Sequence, residues 1–218
     1  MNTDAYCWDT DYKQRGQLWG GTVHHLLDIP PDSQVLELGC GNGKTLTKLV
    51  NRGVDVTAVD FSIRAATLSR QVAQHAGTGD VAVADARMLP FSSGSFNDII
   101  AFHVIGHAYE NDRAQIAREI VRLLSNKGLL WFSEFSTEDM RSDVGTMVEP
   151  HTFKRGTGIK THYFTEPEVK SLFFGLSLLN MTTRRWVMRV RGKDYIRAEV
   201  VAIFEKNGRT LIEPKKPT

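Results

Sequence analysis

The segment VLELGCGNG, residues 35–43, constrains the fold of this chain more than any other. Its apolar residues 35–38 predict a short buried strand, and the spacing of apolar residues over 43–52 predicts a helix. Glycine lets the backbone turn sharply and lets a ligand approach it closely. The segment therefore predicts a strand, a ligand-binding loop and a helix. The candidate binding residues of the loop are Gly39, Cys40, Gly41 and Gly43.

Two phosphate-binding motifs share features with this segment but do not fit it. A dinucleotide fingerprint needs a small residue where Lys44 stands, because that residue lets the helix pack closely on the strand. A P-loop needs glycine in place of Leu38, and Glu37 would bring a carboxylate close to the phosphates. The glycines and the acid at the strand end instead favour a ligand with an ammonium or sulfonium centre and no phosphate.

Strand and helix patterns alternate along most of the chain, which predicts a parallel sheet with helices on both faces. The strand-like segments are residues 54–59, 81–84, 97–102 and 128–135. The helical segments are residues 63–75 and 112–124. We expect all 218 residues to form one domain, which is common for chains of this length.

The C-terminal part of the chain has a different pattern. Thr165 and Glu168 form a capping box that predicts a helix start, and Gly175 is a candidate for the stop of that helix. Two strand-like runs, 178–190 and 195–205, then predict an antiparallel hairpin at one edge of the sheet. The polar residues 136–162 predict a long loop, and such loops are usually functional or disordered.

Acidic residues follow the second and third predicted strands. Asp60 stands 19 residues after Gly41, where a carboxylate can accept hydrogen bonds from both hydroxyls of a ribose. Asp85 can accept from an adenine amino group, with the backbone of Ala86 at the ring edge. Each acid could equally be a helix cap or a turn residue. Together with the glycines they favour a binding site, because open α/β sheets bind ligands at the carboxyl ends of their strands.

Composition excludes several classes of protein. The 27 Lys and Arg against 25 Asp and Glu are too balanced to require a nucleic acid or an anionic membrane as partner. Residues 184–218 are more basic, with ten Lys and Arg against four Asp and Glu, which suits a solvated strand face.

Cys7 and Cys40 form neither a disulfide framework nor a metal motif, so we expect no metal and a cytoplasmic protein. No apolar run approaches the ~20 residues that span a bilayer.

The ordered motifs resemble the class I S-adenosylmethionine-dependent methyltransferases over about residues 19–206. Besides the glycine motif and the strand-end acids, they include the segments 89–98 and 119–128. The resemblance implies a Rossmann-like three-layer α/β sandwich. Its seven-stranded, mainly parallel sheet would have the order 3-2-1-4-5-7-6 with strand 7 antiparallel, in agreement with the predicted hairpin. It also implies S-adenosyl-L-methionine as the methyl donor and S-adenosyl-L-homocysteine as the product.

The resemblance implies roles for individual residues. Glu37 would lie near the methionine part of the donor, Phe61 would flank the adenine, and Phe102 would border the methyl group. The chain departs from the enzymes that methylate amino groups of nucleobases and glutamine, because residues 102–105 read FHVI and not Asn/Asp-Pro-Pro-Tyr. It also lacks the set of acidic residues that binds magnesium in catechol methyltransferases.

His103 and His107 follow the fourth strand, where an acceptor site should open, and imidazole has a suitable pKa for a general base. The alternative is that His107 caps a turn and His103 packs against the donor. Residues 1–30 could form a lid, in which the aromatic faces of Tyr12 and Trp19 suit a sulfonium. Core packing or a dimer contact explains the same aromatics. The Lys, Arg and His residues of 136–162 could admit a polar or anionic acceptor, although such a group of charges is more often a solvated loop.

The expected activity is methyl transfer to a small polar acceptor by in-line displacement. The stretch from Leu89 to Glu119 also resembles the tRNA wobble-uridine methyltransferases, and the basic C-terminal end could contact phosphates. A third hypothesis is a donor-binding partner subunit without catalysis of its own. The sequence leaves open whether the chain is a monomer or a homodimer.

Overall fold

The computed structural model describes residues 3–16 and 29–207. The helices are α1 Thr3–Arg15, α2 Lys44–Val50, α3 Ile63–Ala76, α4 Glu110–Leu123 and α5 Glu166–Leu172. The first five strands are β1 Val35–Leu38, β2 Val56–Asp60, β3 Asp80–Val83, β4 Phe96–Phe102 and β5 Leu124–Phe135. The last five are β6 Thr146–Glu149, β7 Thr152–Lys154, β8 Lys160–His162, β9 Ser177–Val190 and β10 Lys193–Glu205. A 3₁₀ helix spans Ile105–His107.

Seven strands form the main sheet, in the order β3-β2-β1-β4-β5-β10-β9. The neighbours from β3 to β5 pair in parallel, whereas β10 is antiparallel to both β5 and β9. Since β9 and β10 are the sixth and seventh strands of this sheet along the chain, its own order is 3-2-1-4-5-7-6. The predicted α/β fold class, with an antiparallel seventh strand, is confirmed.

Alternate residues of β1 and β4 enter two different hydrophobic cores, because successive side chains of a strand point to opposite faces. Leu36 and Ile99 pack in one core, together with buried residues of α4 and α5. Val35 and Ile100 pack in the other, together with buried residues of α2 and α3. The sheet is thus the middle of three layers, and the register Leu38 to Val59 and Ala101 brings the carboxyl ends of three strands together.

The C-terminal hairpin is tighter and longer than the sequence predicts. Val190 pairs with Lys193, so its turn has only two residues, Arg191 and Gly192, with φ of 50° and 80°. Positive φ at both positions is the requirement of a type I′ turn, whose twist suits a hairpin. Preceding the hairpin, Thr165 caps α5 by accepting a hydrogen bond from the Glu168 N–H, as predicted.

Two predictions about residues 136–175 are wrong. The segment 136–162 contains the three-stranded antiparallel sheet β6-β7-β8, and is not a loop throughout. These strands have only three or four residues, too few to show a period-two pattern in the sequence. Helix α5 ends at Leu172 and not at Gly175. In the described ranges, no helix is long and apolar enough to cross a membrane.

Candidate active site

A cavity of about 680 Å³ opens at the carboxyl ends of β1, β2 and β4. Strand order reverses direction between β1 and β4, and ligands of open α/β sheets bind at such points. Twelve of the fourteen predicted site residues line it: Tyr12, Glu37, Gly39, Cys40, Gly41, Asp60, Phe61, Asp85, Ala86, Phe102, His103 and His107. Gly43 does not line the cavity, and Trp19 lies outside the described residues.

The glycine loop can be formed only by residues without a side chain. Gly39 has φ of 67°, and a Cβ there would lie 2.6 Å from Cγ2 of Val104. A Cβ on Gly41 would lie 2.7 Å from the hydroxyl of Tyr12. Gly43 has φ of 80°, and a Cβ there would lie 3.0 Å from Val72 on α3. Gly39 and Gly41 therefore let the loop pack closely against Val104 and Tyr12, whereas Gly43 lets α2 and α3 pack closely.

Asp60 ends β2 and fixes the shape of this loop. The Gly41 and Ser62 N–H groups donate to its two carboxylate oxygens, each at 2.9 Å. Burial raises the pKa of Asp60 to about 6, although these backbone donors act in the opposite direction. A carboxylate oxygen accepts more than one hydrogen bond, so Asp60 can still accept from ligand hydroxyls on the cavity side.

Glu37 is a buried carboxyl group with one unsatisfied oxygen. Its side chain accepts from the Thr45 hydroxyl and the Leu46 N–H, whereas Oε2 has no hydrogen-bond partner among the described residues. Burial, reinforced by the charge of Asp60, raises the pKa of Glu37 from 4.5 to about 8. An unpartnered buried acceptor costs free energy, so this site suits a cationic ligand group.

Asp85 has a partner that the sequence analysis missed. Arg87, two residues later, donates from Nε at 3.0 Å and from Nη2 at 2.5 Å to the Asp85 carboxylate. Arg87 also pairs with Asp112 at the start of α4, at 3.1 Å. Asp85 and Ala86 line the cavity, and Arg87 holds the Asp85 carboxylate in place.

The two histidines have different surroundings. His103 has φ of 52°, and its Nε2 lies 3.4 Å from the Glu199 carboxylate, while its ring stacks at 4.5 Å on Phe135. His107 Nδ1 lies 2.7 Å from the Lys160 carbonyl oxygen, so this nitrogen carries the proton and donates. Burial lowers the pKa of His107 to about 4, which makes it a poor base at neutral pH.

Strands β9 and β10 form one wall of the cavity, and the sequence did not predict this wall. It consists of Arg184, Trp186 and Met188 on β9 and Arg197 and Glu199 on β10. Within each strand these residues are two apart, so they share one face. Residues 184–189 of β9, RRWVMR, show no regular alternation of polar and apolar residues, and nothing in the sequence indicates that this face borders the glycine loop.

Helix α1 forms part of the cavity wall through Trp8 and Tyr12. Trp8 contacts the His107 ring edge-on at 4.8 Å between centroids. Asp4 pairs with the buried Lys160 on β8 at 2.6 Å, and Asp9 accepts from the Ser62 hydroxyl at 2.5 Å. These contacts join α1 to both the small sheet and the start of α3.

No group of three or more His, Cys, Asp or Glu side chains within residues 3–16 and 29–207 is arranged to hold a metal ion.

Residues 36–132 match the family model described as "Methyltransferase domain". A 2-methyl-6-phytyl-1,4-hydroquinone methyltransferase of Synechocystis sp. is 30% identical over 124 residues, which are 56% of this chain and 37% of that protein. A tRNA (carboxymethyluridine(34)-5-O)-methyltransferase of Xenopus tropicalis is 33% identical over 111 residues, which are 50% of this chain and 17% of that protein. The chain therefore covers less than two thirds of either relative.

Among solved structures, a SAM-dependent methyltransferase from Methanosarcina mazei aligns with a TM-score of 0.68 and 22% identity. The alignment covers 82% of this chain and 94% of the other. The two proteins thus share their fold over most of their length.

Proposed function

Because the chain carries a class I S-adenosylmethionine-dependent methyltransferase domain, we propose that it transfers the methyl group of this donor to a small polar acceptor. The observation that carries the proposal is the unsatisfied, buried Oε2 of Glu37 beside the glycine loop. A cationic donor group would satisfy this oxygen and would favour the ionised form of Glu37 over the neutral form.

Different residues of the cavity would bind different parts of the donor. Glu37 would accept from the donor ammonium, and the open backbone at Gly39 and Gly41 would admit the methionine part. Asp60 would accept from the ribose hydroxyls, while Phe61 and the Asp85 region would hold the adenine. Bound in this way, S-adenosylmethionine would supply a methyl group on a sulfonium sulfur, and the neutral thioether S-adenosylhomocysteine would be the leaving group.

The chain contributes mainly positioning, since methyl transfer from a sulfonium needs no covalent enzyme intermediate. Where the acceptor must lose a proton, we assign its removal to His103. Glu199, 3.4 Å from its Nε2, would stabilise the resulting imidazolium. His107 we assign to positioning, because its proton is held by the Lys160 carbonyl.

A small acceptor is favoured over tRNA because much of the basic charge of the C-terminal hairpin is paired. Arg185 contacts Glu138 at 2.5 Å, Arg189 contacts Asp194 at 3.3 Å, and Arg197 contacts Asp139 at 2.5 Å. Paired arginines release fewer counterions on binding a nucleic acid and so contribute less to its affinity. The relatives include both kinds of enzyme, which keeps tRNA as the second candidate.

The test offers methyl-labelled S-adenosylmethionine to the purified chain with a small-molecule extract or with total tRNA, in separate reactions. We expect label in small molecules only, and about tenfold or greater loss of turnover in His103→Gln with unchanged binding of S-adenosylhomocysteine. Label in tRNA would favour the second candidate. Donor binding without labelled product in either reaction would favour a partner subunit without catalysis.

A further inference from the structure

Arg197 on β10 is a rigidly held arginine with an unused donor. Its side chain is 6% exposed, and its Nε donates to Asp139 at 2.5 Å. The guanidinium carbon lies 4.6 Å from the ring centroid of Phe135 and 5.6 Å from that of Trp186. Nη2 is buried and has no hydrogen-bond partner among the described residues, although Arg197 lines the cavity. The fold thus fixes the orientation of a cation and leaves one of its donors unsatisfied.

A second arginine stands close by. Arg141 lines the same cavity, and its pKa is lowered by burial and by the nearby charges of Arg197 and Arg155. Asp139 accepts from the Arg197 side chain and from the backbone N–H of Arg141. This one carboxylate can balance only one of the two guanidinium charges, so an anionic ligand would balance the other.

We propose that the methyl acceptor carries a carboxylate and that Arg197 and Arg141 bind it in the cavity, beside Phe135 and Trp186. The inference rests on the proposed function and names its substrate class. Guanidinium groups bind carboxylates through paired, charge-assisted hydrogen bonds. The aromatic rings and the Met188 side chain give the body of such an acceptor an apolar surface to contact.

Other anions fit this end less well. Glu199 lines the same cavity and Glu134 lies within 4.0 Å of the His103 ring, so a doubly charged phosphate would be repelled more than a carboxylate. For the carboxylate of the donor itself the cavity offers another cation, Lys44, which follows the glycine loop directly and lines the cavity. Arg197 and Arg141 are thereby left for the acceptor.

The test uses benzoate, salicylate and indole-3-acetate, each paired with its primary amide, and titrates them into protein saturated with S-adenosylhomocysteine. Ligand-observed NMR gives the affinities. We expect at least one acid to bind about tenfold or more tightly than its amide, and Arg141→Gln to remove that preference. Phenyl phosphate should bind no better than benzoate.

Replacing Arg197 alone would leave Asp139 buried and unpaired, so the second variant is the double substitution Arg197→Gln with Asp139→Asn, which removes both charges. It should also abolish the preference for acids. Arg185→Gln is the matched control, because this arginine is exposed, pairs with Glu138 and does not line the cavity. The control should keep the wild-type preference.

The outcomes separate this inference from the proposed function. If wild-type protein fails to bind S-adenosylhomocysteine, the proposed function itself is wrong. If it binds S-adenosylhomocysteine but no acid is preferred over its amide, or phenyl phosphate binds best, the carboxylate inference is overturned. Loss of S-adenosylhomocysteine binding in folded Arg141→Gln would overturn it as well, since the arginine would then serve the donor.

Discussion

Replacing Glu37 with glutamine should stabilise the ligand-free protein and weaken its binding of the donor. Burial, together with the charge of Asp60, raises the pKa of Glu37 to about 8, so the folded chain favours the neutral carboxyl group. Glutamine has nearly the same shape and is always neutral. It therefore removes the cost of ionising this group in the folded protein, but it cannot pair with an ammonium group.

The size of the effect follows from the difference between 4.5 and about 8. A raised pKa gives stability that is present at pH values below 4.5 and is lost as the pH rises toward 8. Each pKa unit corresponds to about 1.4 kcal/mol. Between pH 5 and pH 8, the unfolding free energy of wild-type protein should fall by about 3 kcal/mol relative to that of Glu37→Gln.

Urea denaturation of both proteins at several pH values measures this difference. The other titrating groups are common to both proteins, so their contributions largely cancel. Asp55→Asn, which replaces an exposed carboxylate at the opposite end of β2, is the control and should show little pH-dependent difference. A stability difference between wild type and Glu37→Gln that stays constant from pH 5 to pH 8 would show that the folded protein does not hold Glu37 as a neutral carboxyl group.

Two further substitutions test the loop and the 3₁₀ helix. Gly39→Ala should lower the unfolding free energy by about 1–3 kcal/mol and prevent binding of S-adenosylhomocysteine, because its Cβ would lie 2.6 Å from Val104. Gly53→Ala, with φ of 77° and open space around it, should cost about 1 kcal/mol and leave binding intact; equal effects would argue against a tight loop. The lowered pKa of His107, about 4 against 6.5, means that wild type loses stability as the pH falls through this range. From pH 7 to pH 5 it should lose about 2 kcal/mol more than His107→Gln in urea denaturation, and parallel losses would contradict the assignment.

The parts of the molecule that could be predicted are those with strong local constraints. The glycine loop must pack against Val104 and Tyr12 with no side chain of its own, so only glycine serves there. Asp60 is fixed by the Gly41 N–H, a contact whose sequence separation is set by helix α2 and strand β2. The alternation of strands and helices likewise predicts a parallel sheet with helices on both faces.

The rest depends on tertiary contacts that leave little local signal. The strands β6 to β8 are too short for periodicity, and their position depends on Lys160 pairing with Asp4, 156 residues away. The wall with Arg197 and Glu199 reads in sequence as an ordinary hairpin. His103 and His107 lie four residues apart, and the sequence does not show that His103 lies beside Glu199 while His107 donates to the Lys160 carbonyl.

We propose that this cavity binds S-adenosylmethionine, and calorimetric titration of the purified chain with the product S-adenosylhomocysteine measures binding at the same site. We predict one binding site per chain, with affinity lowered at least about tenfold in Asp60→Asn and unchanged in Asp55→Asn. Wild-type protein that binds no S-adenosylhomocysteine, or an Asp60→Asn variant that binds it as tightly as wild type, would contradict the account.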